Sequence, residues 1–265
     1  MPGDVKDNTE RLLSYFRKFD GVVVAFSGGV DSSVLAKAAY DALGERALAV
    51  TVDSPTIEKS ELEAAGIIAK NIGIKHLVVK HDELANPCFR SNKPDRCYHC
   101  KKEMLAVLKK VACEKGVKAV AEGTNAEEIK GHRPGYKAVK DAGVYSPLAE
   151  LGFAKKDIRE IAAYLKLPNA EKPSMACLAS RIPYGTELTK EVLEKVSKTE
   201  AVVRSAGVRQ LRVRCFGDIA VIEVYLEDYA KVLENRTMIS RELKALGFKR
   251  AVLDLDGYVA GSMSP

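Results

Sequence analysis

The feature that most constrains the fold is an alternation of short apolar runs with amphipathic stretches, from Gly21 to about Leu167. The apolar runs predict strands at Val22–Phe26, Ala47–Asp53, His76–Lys80 and Lys118–Ala121. The stretches that follow them predict helices at Ser32–Leu43, Ser60–Asn71, His99–Lys115 and Lys155–Leu165. This order indicates an α/β fold with a doubly wound, mostly parallel sheet, in which ligands bind beyond the carboxyl ends of the strands.

The order of elements changes after Pro168. The pattern then predicts a helix at Glu191–Ala206, strands at Gln210–Cys215 and Ile219–Tyr225, a helix at Asp228–Leu246 and a strand at Arg250–Leu255. The turn Phe216-Gly217-Asp218 indicates a hairpin between the first two of these strands. We therefore expect two domains, residues 1–168 and a small α+β domain with an antiparallel sheet at residues 169–265.

Composition restricts the class of protein more than its function. The chain has 265 residues and a formal net charge of +6, and 46% of its residues are hydrophobic. It lacks both an apolar run of roughly 18 residues and a secretory leader, so we expect a cytoplasmic protein without a membrane partner. A dense run of lysines and arginines with interleaved aromatic residues would indicate a nucleic-acid substrate, and the sequence contains no such run.

The segment Ser27-Gly28-Gly29-Val30-Asp31-Ser32-Ser33 follows the first predicted strand and opens the first predicted helix. Glycines let backbone N–H groups approach a ligand, a helix N-terminus attracts anions, and serine hydroxyls can donate to phosphate oxygens. The Gly-Lys-Ser/Thr of the common phosphate loop is absent. Asp31 is unusual at a phosphate site unless it also holds Mg²⁺. An ordinary strand–turn–helix corner is the alternative interpretation.

Two further segments end predicted strands at the same sheet edge. Asp53 and Ser54 close the second strand, where backbone and polar side chains can meet an adenine and a ribose. Gly123 and Thr124 follow the fourth strand and can approach the nucleotide, although a simple strand-ending loop explains them nearly as well.

Three cysteines occupy loop-like positions. Cys97 and Cys100 are separated by two residues, and Cys177 lies near the predicted domain junction. The pair can hold a structural zinc ion with further ligands such as His99 or Cys113, or it can form a redox pair. With Cys177 as a third ligand it can hold an iron–sulfur cluster instead.

Positively charged residues accompany these cysteines. Lys101 follows Cys100, Arg181 follows Cys177, and Arg212 and Arg214 share one face of a predicted strand. Two arginines at this spacing can hold a phosphate, and a positive environment makes a nearby cysteine a better nucleophile. A solvated strand face is an equally good interpretation of the pattern.

The segment Ser27–Ser33 resembles the PP-loop of the ATP pyrophosphatases, which have the adenine nucleotide alpha hydrolase-like fold. Together with Asn92–Lys101, Pro173–Arg181 and Leu255-Asp256-Gly257-Tyr258, it makes nearly the whole chain resemble the LarE family. These are sulfurtransferases of nickel-pincer nucleotide biosynthesis. One departure is Val259, where the family pattern leads us to expect arginine.

The resemblance implies an ATP-dependent enzyme that adenylates the carboxylates of a pyridinium dicarboxylate mononucleotide and converts them to thiocarboxylates, releasing AMP and pyrophosphate. Cys177 matches the essential cysteine, which is either the sulfur donor itself or one of three ligands of a [4Fe–4S] cluster that carries the sulfide. The presence of Cys97 and Cys100 favours the cluster.

We expect the following site residues, some from their positions in the pattern and some carried over from the family. The catalytic residues are Cys177, Asp31 and Lys101, and Asp31 also holds Mg²⁺. The ATP-binding residues are Ser27, Gly28, Gly29, Val30, Asp31, Ser32, Ser33, Asp53, Ser54, Gly123 and Thr124. Arg181, Arg212 and Arg214 hold the anionic groups of the substrate.

The resemblance also implies a homo-oligomer, specifically a hexamer. The nearest alternative function is that of a tRNA thiolase, which is also a PP-loop enzyme with a three-cysteine cluster. Tight, salt-sensitive binding of tRNA would favour that alternative.

Overall fold

The helices and strands of the chain follow the predicted alternation. A computed structural model describes residues 4–130, 134–173 and 175–259, so Ser174 of the Cys177 segment lies outside the described residues. The strands are β1 (Val22–Ala25), β2 (Ala47–Asp53), β3 (Lys75–Lys80), β4 (Ala119–Ala121), β5 (Leu211–Phe216), β6 (Ile219–Val224) and β7 (Arg250–Leu253). The α-helices are α1 (Val5–Arg17), α2 (Val30–Leu43), α3 (Lys59–Ile72), α4 (Pro87–Arg90), α5 (Arg96–Glu114), α6 (Pro134–Ala142), α7 (Pro147–Glu150), α8 (Lys155–Tyr164), α9 (Lys190–Ser205), α10 (Tyr229–Glu234) and α11 (Arg236–Ala245).

The chain forms two compact units. The first unit comprises Met1–Glu83 and Cys97–Met175, and the second comprises Leu84–Arg96 and Ala176–Pro265. The early segment belongs to the second unit because its backbone and side chains bond there: Leu188 N–H donates to the Arg90 carbonyl at 2.9 Å, and Asn92 Nδ2 donates to the Pro183 carbonyl at 2.8 Å. The division into domains at residue 168 stays a prediction.

The first unit is built on a parallel sheet with the order β3-β2-β1-β4. Each neighbouring pair is parallel, and Val22 of β1 lies opposite Ala47 on one side and Ala119 on the other. Valines favour this central position because their branched side chains pack well on a pleated surface.

Helices cover both faces of this sheet. Val22 and Val24 pack in a core that includes Leu12 and Phe16 of α1, together with residues of α2, α3 and α8. Val23 points to the opposite face and packs in a core with α5 and α6. This alternation along β1 confirms the predicted α/β class with a doubly wound parallel sheet.

The second unit contains a mixed sheet with the order β5-β6-β7. The predicted hairpin is present, since β5 and β6 are antiparallel and Gly217 between them has a φ of +62°. The expectation of a wholly antiparallel sheet is wrong, because β7 pairs parallel to β6. The two helices between these strands form a crossover, which returns the chain in the same direction.

The helix predicted over Asp228–Leu246 is divided into α10 and α11 at Asn235. The Asn235 side chain donates to the Lys231 carbonyl at 2.9 Å, so an amide side chain bonds a carbonyl at the end of α10. Asp228 does not cap a helix with its side chain but accepts a hydrogen bond from Lys231 Nζ at 2.5 Å. Across the described part of the chain, no helix has the length and apolarity to cross a membrane.

Candidate functional site

The serine- and glycine-rich segment forms a loop between β1 and α2, at the carboxyl edge of the parallel sheet. Val30 is the first residue of α2, and Gly29 caps the helix in an extended conformation. Ser33 N–H donates to the Gly29 carbonyl at 3.0 Å, which closes the first helical turn. The helix N-terminus therefore follows the loop directly, as anion binding requires.

Ser27 and Ser32 hold the loop in shape. Their hydroxyl oxygens lie 3.1 Å apart, Ser32 Oγ donates to the Gly29 carbonyl at 3.0 Å, and Gly29 N–H donates to Ser27 Oγ at 3.3 Å. Ser27 is exposed and can reach a ligand, whereas Ser33 is fully buried. Ser33 is thus oriented toward the protein interior rather than toward a phosphate.

Glycine is required at Gly28, and Gly123 leaves little room for a larger residue. Gly28 has a φ of +67°, and a Cβ there would lie 2.8 Å from the Cα of Ala65 in α3. A Cβ on Gly123 would lie 3.3 Å from the backbone nitrogen of Ser32. The loop after β4 therefore reaches the first turn of α2, so the predicted segments at Gly28 and Gly123 come together at one place.

Two residues that the sequence pattern did not indicate bind the loop from the end of the first unit. Asn169 Nδ2 donates to the Gly28 carbonyl at 3.0 Å and to Ser33 Oγ at 2.9 Å. Lys172 Nζ lies 3.4 Å from the same carbonyl and 2.7 Å from Glu61 Oε2. These contacts join residues 111 to 144 positions apart, and no local spacing in the sequence indicates them.

Asp31 also has a partner that the sequence did not indicate. Lys155 Nζ, at the start of α8, donates to Asp31 Oδ1 at 2.6 Å. The carboxylate stands in the first turn of α2, next to the loop, and is already paired with a cation. One carboxylate beside substrate phosphates is a usual set of Mg²⁺ ligands, so this residue fits the Mg²⁺ that the sequence pattern predicts there.

The end of β2 presents a second polar group. Ser54 Oγ donates to Glu83 Oε1 at 2.9 Å, and Thr56 donates to the same oxygen. Asp53 is half-buried, and its carbonyl accepts from His81 N–H at 2.9 Å. Asp53 and Ser54 therefore stand at the predicted edge, and the Ser54 hydroxyl is committed to Glu83.

Lys101 lies at the carboxyl edge of the sheet, where it contacts Glu122, the residue that follows β4. Lys101 Nζ donates to Glu122 Oε2 at 2.7 Å, and Thr124 binds the same carboxylate through both its N–H and its hydroxyl. Burial alone would raise the pKa of Glu122, but the Lys101 charge and the hydrogen bonds from Lys101, Ser146 and Thr124 lower it. Glu122 is thus a buried, charged anchor for Lys101.

Cys97 and Cys100 lie near the start of α5. They are separated by three positions on one helix face, with Cys97 exposed and Cys100 half-buried, and neither forms a disulfide. Cys113 is 16 residues further along α5, about 24 Å away, so it cannot share a zinc ion with Cys97. No group of three or more side chains able to hold a metal is found among residues 4–130, 134–173 and 175–259.

In the second unit, Arg181 organises the Cys177 segment. Its guanidinium is fully buried and pairs with Glu200, with Nε at 2.8 Å and the second terminal nitrogen at 3.1 Å. The remaining terminal nitrogen donates to the carbonyls of Ala176 and Cys177 at 2.7 and 2.9 Å. Arg181 therefore positions the exposed Cys177 from within the protein, which differs from its predicted contact with substrate.

Arg212 and Arg214 project from β5 into the same buried cluster. Arg214 pairs with Glu223 through two nitrogens, at 2.9 and 2.7 Å, and donates to the Ser180 carbonyl at 2.9 Å. Arg212 stacks over the ring of Tyr258, with its guanidinium carbon 5.2 Å from the ring centre. Burial and the neighbouring charge of Arg181 lower the pKa of Arg212. The arginines are thus not a solvated strand face.

The second unit therefore holds three buried arginines around the Cys177 segment. Arg181, Arg212 and Arg214 lie with Glu200 and Glu223, and all five residues are at most 5% exposed. Buried positive groups near the protein surface attract anions.

Comparison with known proteins identifies the family of the chain. The family model described as NAD synthase matches residues 11–181. The chain is 35% identical over 254 residues to pyridinium-3,5-bisthiocarboxylic acid mononucleotide synthase of Lactiplantibacillus plantarum, a LarE protein, covering 96% of this chain and 92% of the relative. The chain belongs to the LarE family.

Two other relatives of this LarE-family chain are an uncharacterized protein and a subunit of a different enzyme. It is 38% identical over 262 residues to the uncharacterized protein slr1717 of Synechocystis, covering 98% of both chains. It is 28% identical over 278 residues to one subunit of the glutamine-hydrolysing GMP synthase of Archaeoglobus fulgidus, covering 97% of this chain and 86% of the relative. Membership of the LarE family, with its NAD synthase-like loop, makes the chain an ATP-using enzyme.

Proposed function

We propose that the chain makes pyridinium-3,5-bisthiocarboxylic acid mononucleotide, by adenylating the carboxylates of a pyridinium dicarboxylate mononucleotide and replacing an oxygen of each with sulfur. The observation that carries this proposal is the buried arginine cluster beneath the exposed Cys177. A chain that only bound nucleotides would have no use for such an arginine cluster at an exposed thiol. The relative with this activity shares nearly the whole length of the chain.

The first step activates a carboxylate. A carboxylate oxygen attacks the α-phosphorus of ATP, the bond to the β-phosphate oxygen breaks, and pyrophosphate leaves. The Ser27–Gly29 backbone and the N-terminus of α2 would bind the pyrophosphate. Asp31 would hold Mg²⁺, which neutralises charge on the departing pyrophosphate. The carbonyl carbon of the mixed anhydride with AMP is electrophilic, whereas that of the free carboxylate is not.

The second step transfers sulfur. A sulfide sulfur attacks the carbonyl carbon of the anhydride, the bond to the AMP oxygen breaks, and a thiocarboxylate forms. Cys97, Cys100 and Cys177 would hold a [4Fe–4S] cluster, which supplies a reactive sulfide when bound. Cys97 and Cys100, one helical turn apart on α5 and outside any disulfide, are suited to be two of these ligands. Cys177 acting as the donor itself is the alternative source.

The arginines would hold the substrate by its negative charges. Arg212 carries the feature expected of an anion-binding group, a pKa lowered by burial and by its positive neighbour Arg181. A phosphate or carboxylate beside it would relieve that repulsion. We assign Arg214 the same role from the Ser180 side and Arg181 the task of fixing the segment that carries Cys177.

The proposal is tested by incubating the protein with MgATP, sulfide and the pyridinium dicarboxylate mononucleotide, and measuring products by mass spectrometry. We expect AMP, pyrophosphate and a substrate whose mass has increased by one oxygen-to-sulfur exchange, then by two. Pyrophosphate without any thiocarboxylate would contradict the proposal, and salt-sensitive thiolation of tRNA would replace it with the tRNA thiolase alternative.

The sulfur source is tested separately. Iron and acid-labile sulfide are measured after anaerobic reconstitution, in the unmodified protein and in Cys97→Ala. About four irons per chain, lost in the variant, indicate the cluster. Absence of iron in both, together with loss of the Cys177 sulfur after one turnover, indicates Cys177 as the donor. A homo-hexameric state and a cytoplasmic location stay predictions.

A further inference from the structure

A cavity of about 850 Å³ lies in the first unit, at the amino edge of the parallel sheet. The residues that line it lie at or just before the first residues of all four strands. The nucleotide loop follows the opposite end of β1. Six residues of extended chain span about 20 Å, and they separate Gly21 at the cavity from Ser27 in the loop. The cavity is therefore distinct from the nucleotide loop.

Contacts between neighbouring segments hold one wall of the cavity together. A Cβ on Gly21 would lie 3.0 Å from the Arg46 carbonyl and 3.4 Å from a methyl group of Val117. The Arg46 guanidinium donates to the carbonyls of Asp20 and Leu43, at 3.2 and 3.4 Å. The segments that lead into β1, β2 and β4 therefore form one connected wall rather than three independent loops.

The lining combines apolar side chains with a majority of positive charges. Four apolar side chains of the lining are half-buried: Phe19, Leu48, Leu77 and Val117. Five side chains are positive and two are negative: Lys18, Arg46, Lys75, Lys115 and Lys118 against Asp20 and Glu45. A cavity of a few hundred cubic ångströms with an apolar lining and a few charged groups is typical of small-molecule sites. An organic anion matches both parts of this lining.

Two of the five positive side chains are available to such a ligand. Lys75 pairs with Glu45 at 2.7 Å, and the Lys18 ammonium lies 3.5 Å from the centre of a tyrosine ring. Lys115 and Lys118 are exposed, and their side chains form no ion pair or hydrogen bond within the part of the chain that the structure describes. Two lysines three positions apart can bind separate oxygens of one phosphate, sulfonate or carboxylate group.

These lysines have an alternative role, which is to balance helix ends. The helices α1, α2, α3 and α5 all end at this edge of the sheet, and positive side chains stabilise the carboxyl ends of helices. Lys115 directly follows α5, whereas Lys118 directly precedes β4 and lies outside any helix. A charge that only balances a helix end contributes to stability and not to ligand binding, so the two roles are separable by experiment.

We propose that this cavity is a second ligand site, and that it binds an organic polyanion with an aromatic or alkyl body. Lys115 and Lys118 bind the anionic groups, and Leu77 and Val117 contact the body of the ligand. The charge of Lys18 adds to the attraction without a change of its partners. Because the site is distinct from the nucleotide loop, the inference goes beyond the proposed function and does not depend on it.

The experiment is a titration of pyrenetetrasulfonate, an aromatic tetra-anion, with the full-length protein, followed by the fluorescence anisotropy of the probe. It is performed with and without MgATP, in the unmodified protein, Lys115→Glu, Lys118→Glu and the double variant. Lys110→Glu is the matched control, because Lys110 is an exposed residue of α5 that does not line the cavity.

We expect saturable binding of one probe per chain, unchanged by MgATP. Each single variant should bind roughly 5-fold more weakly and the double variant roughly 20-fold more weakly, since an exposed ion pair contributes up to about 1 kcal/mol. Lys110→Glu should bind as the unmodified protein does. Inorganic sulfate, which has the charge without the apolar body, should not displace the probe at equal concentration.

Four results would overturn the inference. They are the absence of saturable binding, displacement of the probe by MgATP or by equimolar sulfate, a loss in Lys110→Glu as large as in Lys118→Glu, and undiminished binding in the double variant. Undiminished binding together with a lower urea midpoint would assign the two lysines to the helix ends instead. Urea unfolding also shows whether each variant folds, and Lys115→Gln or Lys118→Gln takes the place of a glutamate variant that does not.

Discussion

Glu200→Gln tests the buried arginine cluster most severely. Glu200 is fully buried and accepts from Arg181 at 2.8 and 3.1 Å and from the Val213 N–H at 3.0 Å. The amide has nearly the same shape but no charge. The cluster of three arginines and two glutamates then loses one of its two negative charges.

The expected loss of stability follows from this burial. Removing one partner of a buried ion pair costs about 3–5 kcal/mol, because the other charge stays buried and uncompensated. The glutamine oxygen still accepts one hydrogen bond, so we expect the lower end, about 3 kcal/mol. In a urea titration with a slope of about 2–3 kcal/mol per molar, the midpoint should fall by about 1 M.

The pH dependence of this loss has a definite sign. Burial would raise the pKa of Glu200, but the Arg181 hydrogen bonds and charge lower it below the ordinary value of 4.5. A lowered folded-state pKa gives stability that is present above pH 4.5 and is lost as pH falls through the folded-state value. The difference between the two proteins should therefore be constant near neutral pH and shrink below pH 4.5.

Glu194→Gln is the matched control. It lies on the same helix, is 54% exposed, and stands 4.0 Å from Lys190. An exposed pair of this kind contributes less than about 0.5 kcal/mol. If Glu200→Gln unfolds at the same urea concentration as Glu194→Gln, the buried cluster does not stabilise the second unit in the way described here.

Three further substitutions test the site. Gly28→Ala should abolish MgATP binding in a titration, because the new Cβ meets the backbone of α3. Gly44→Ala meets no neighbouring atom and has only the strain of its positive φ of +58°, so it should lose about 1–3 kcal/mol of stability and bind normally. Normal binding by Gly28→Ala would refute the loop geometry. Asp31→Ala should stop pyrophosphate release while its thermal melting stays unchanged, and undiminished release would remove Asp31 from the mechanism. Cys177→Ala should form no thiocarboxylate yet still release pyrophosphate with substrate. Cys88→Ala, at another exposed cysteine of the second unit, should retain both activities. Thiocarboxylate made by Cys177→Ala would show that Cys177 is dispensable.

Much of the fold could be predicted from the sequence because its signals are local. A run such as Val22–Phe26 has the β-branched residues of a buried parallel strand, and β2 is predicted to the residue. Gly44 directly follows the helix predicted over Ser32–Leu43 and has a positive φ where α2 ends, as is common for glycine at that position. The parallel pairing of β7 was missed because strand direction depends on which neighbour a strand joins, and a strand's own residues do not encode that.

The site was predictable only where its residues are contiguous. The Ser27–Ser33 loop is a single segment, so its position at the start of α2 follows from the pattern. Lys155 contacts Asp31, 124 residues away along the chain, and Asn169 contacts Gly28, 141 residues away. No local pattern in the sequence indicates either contact. The sequence led us to expect Arg181 at the anionic groups of the substrate, because the sequence does not show that this side chain is buried against Glu200.

The measurement that tests the central claim most directly is exchange of labelled pyrophosphate into ATP, with and without the pyridinium dicarboxylate mononucleotide and in the absence of sulfide. Formation of an acyl-adenylate is reversible, so the account predicts exchange that depends on the mononucleotide and is lost in Asp31→Ala. Exchange that is independent of the mononucleotide, or no exchange while ATP binds normally, would contradict the claim that this chain activates a carboxylate of that substrate.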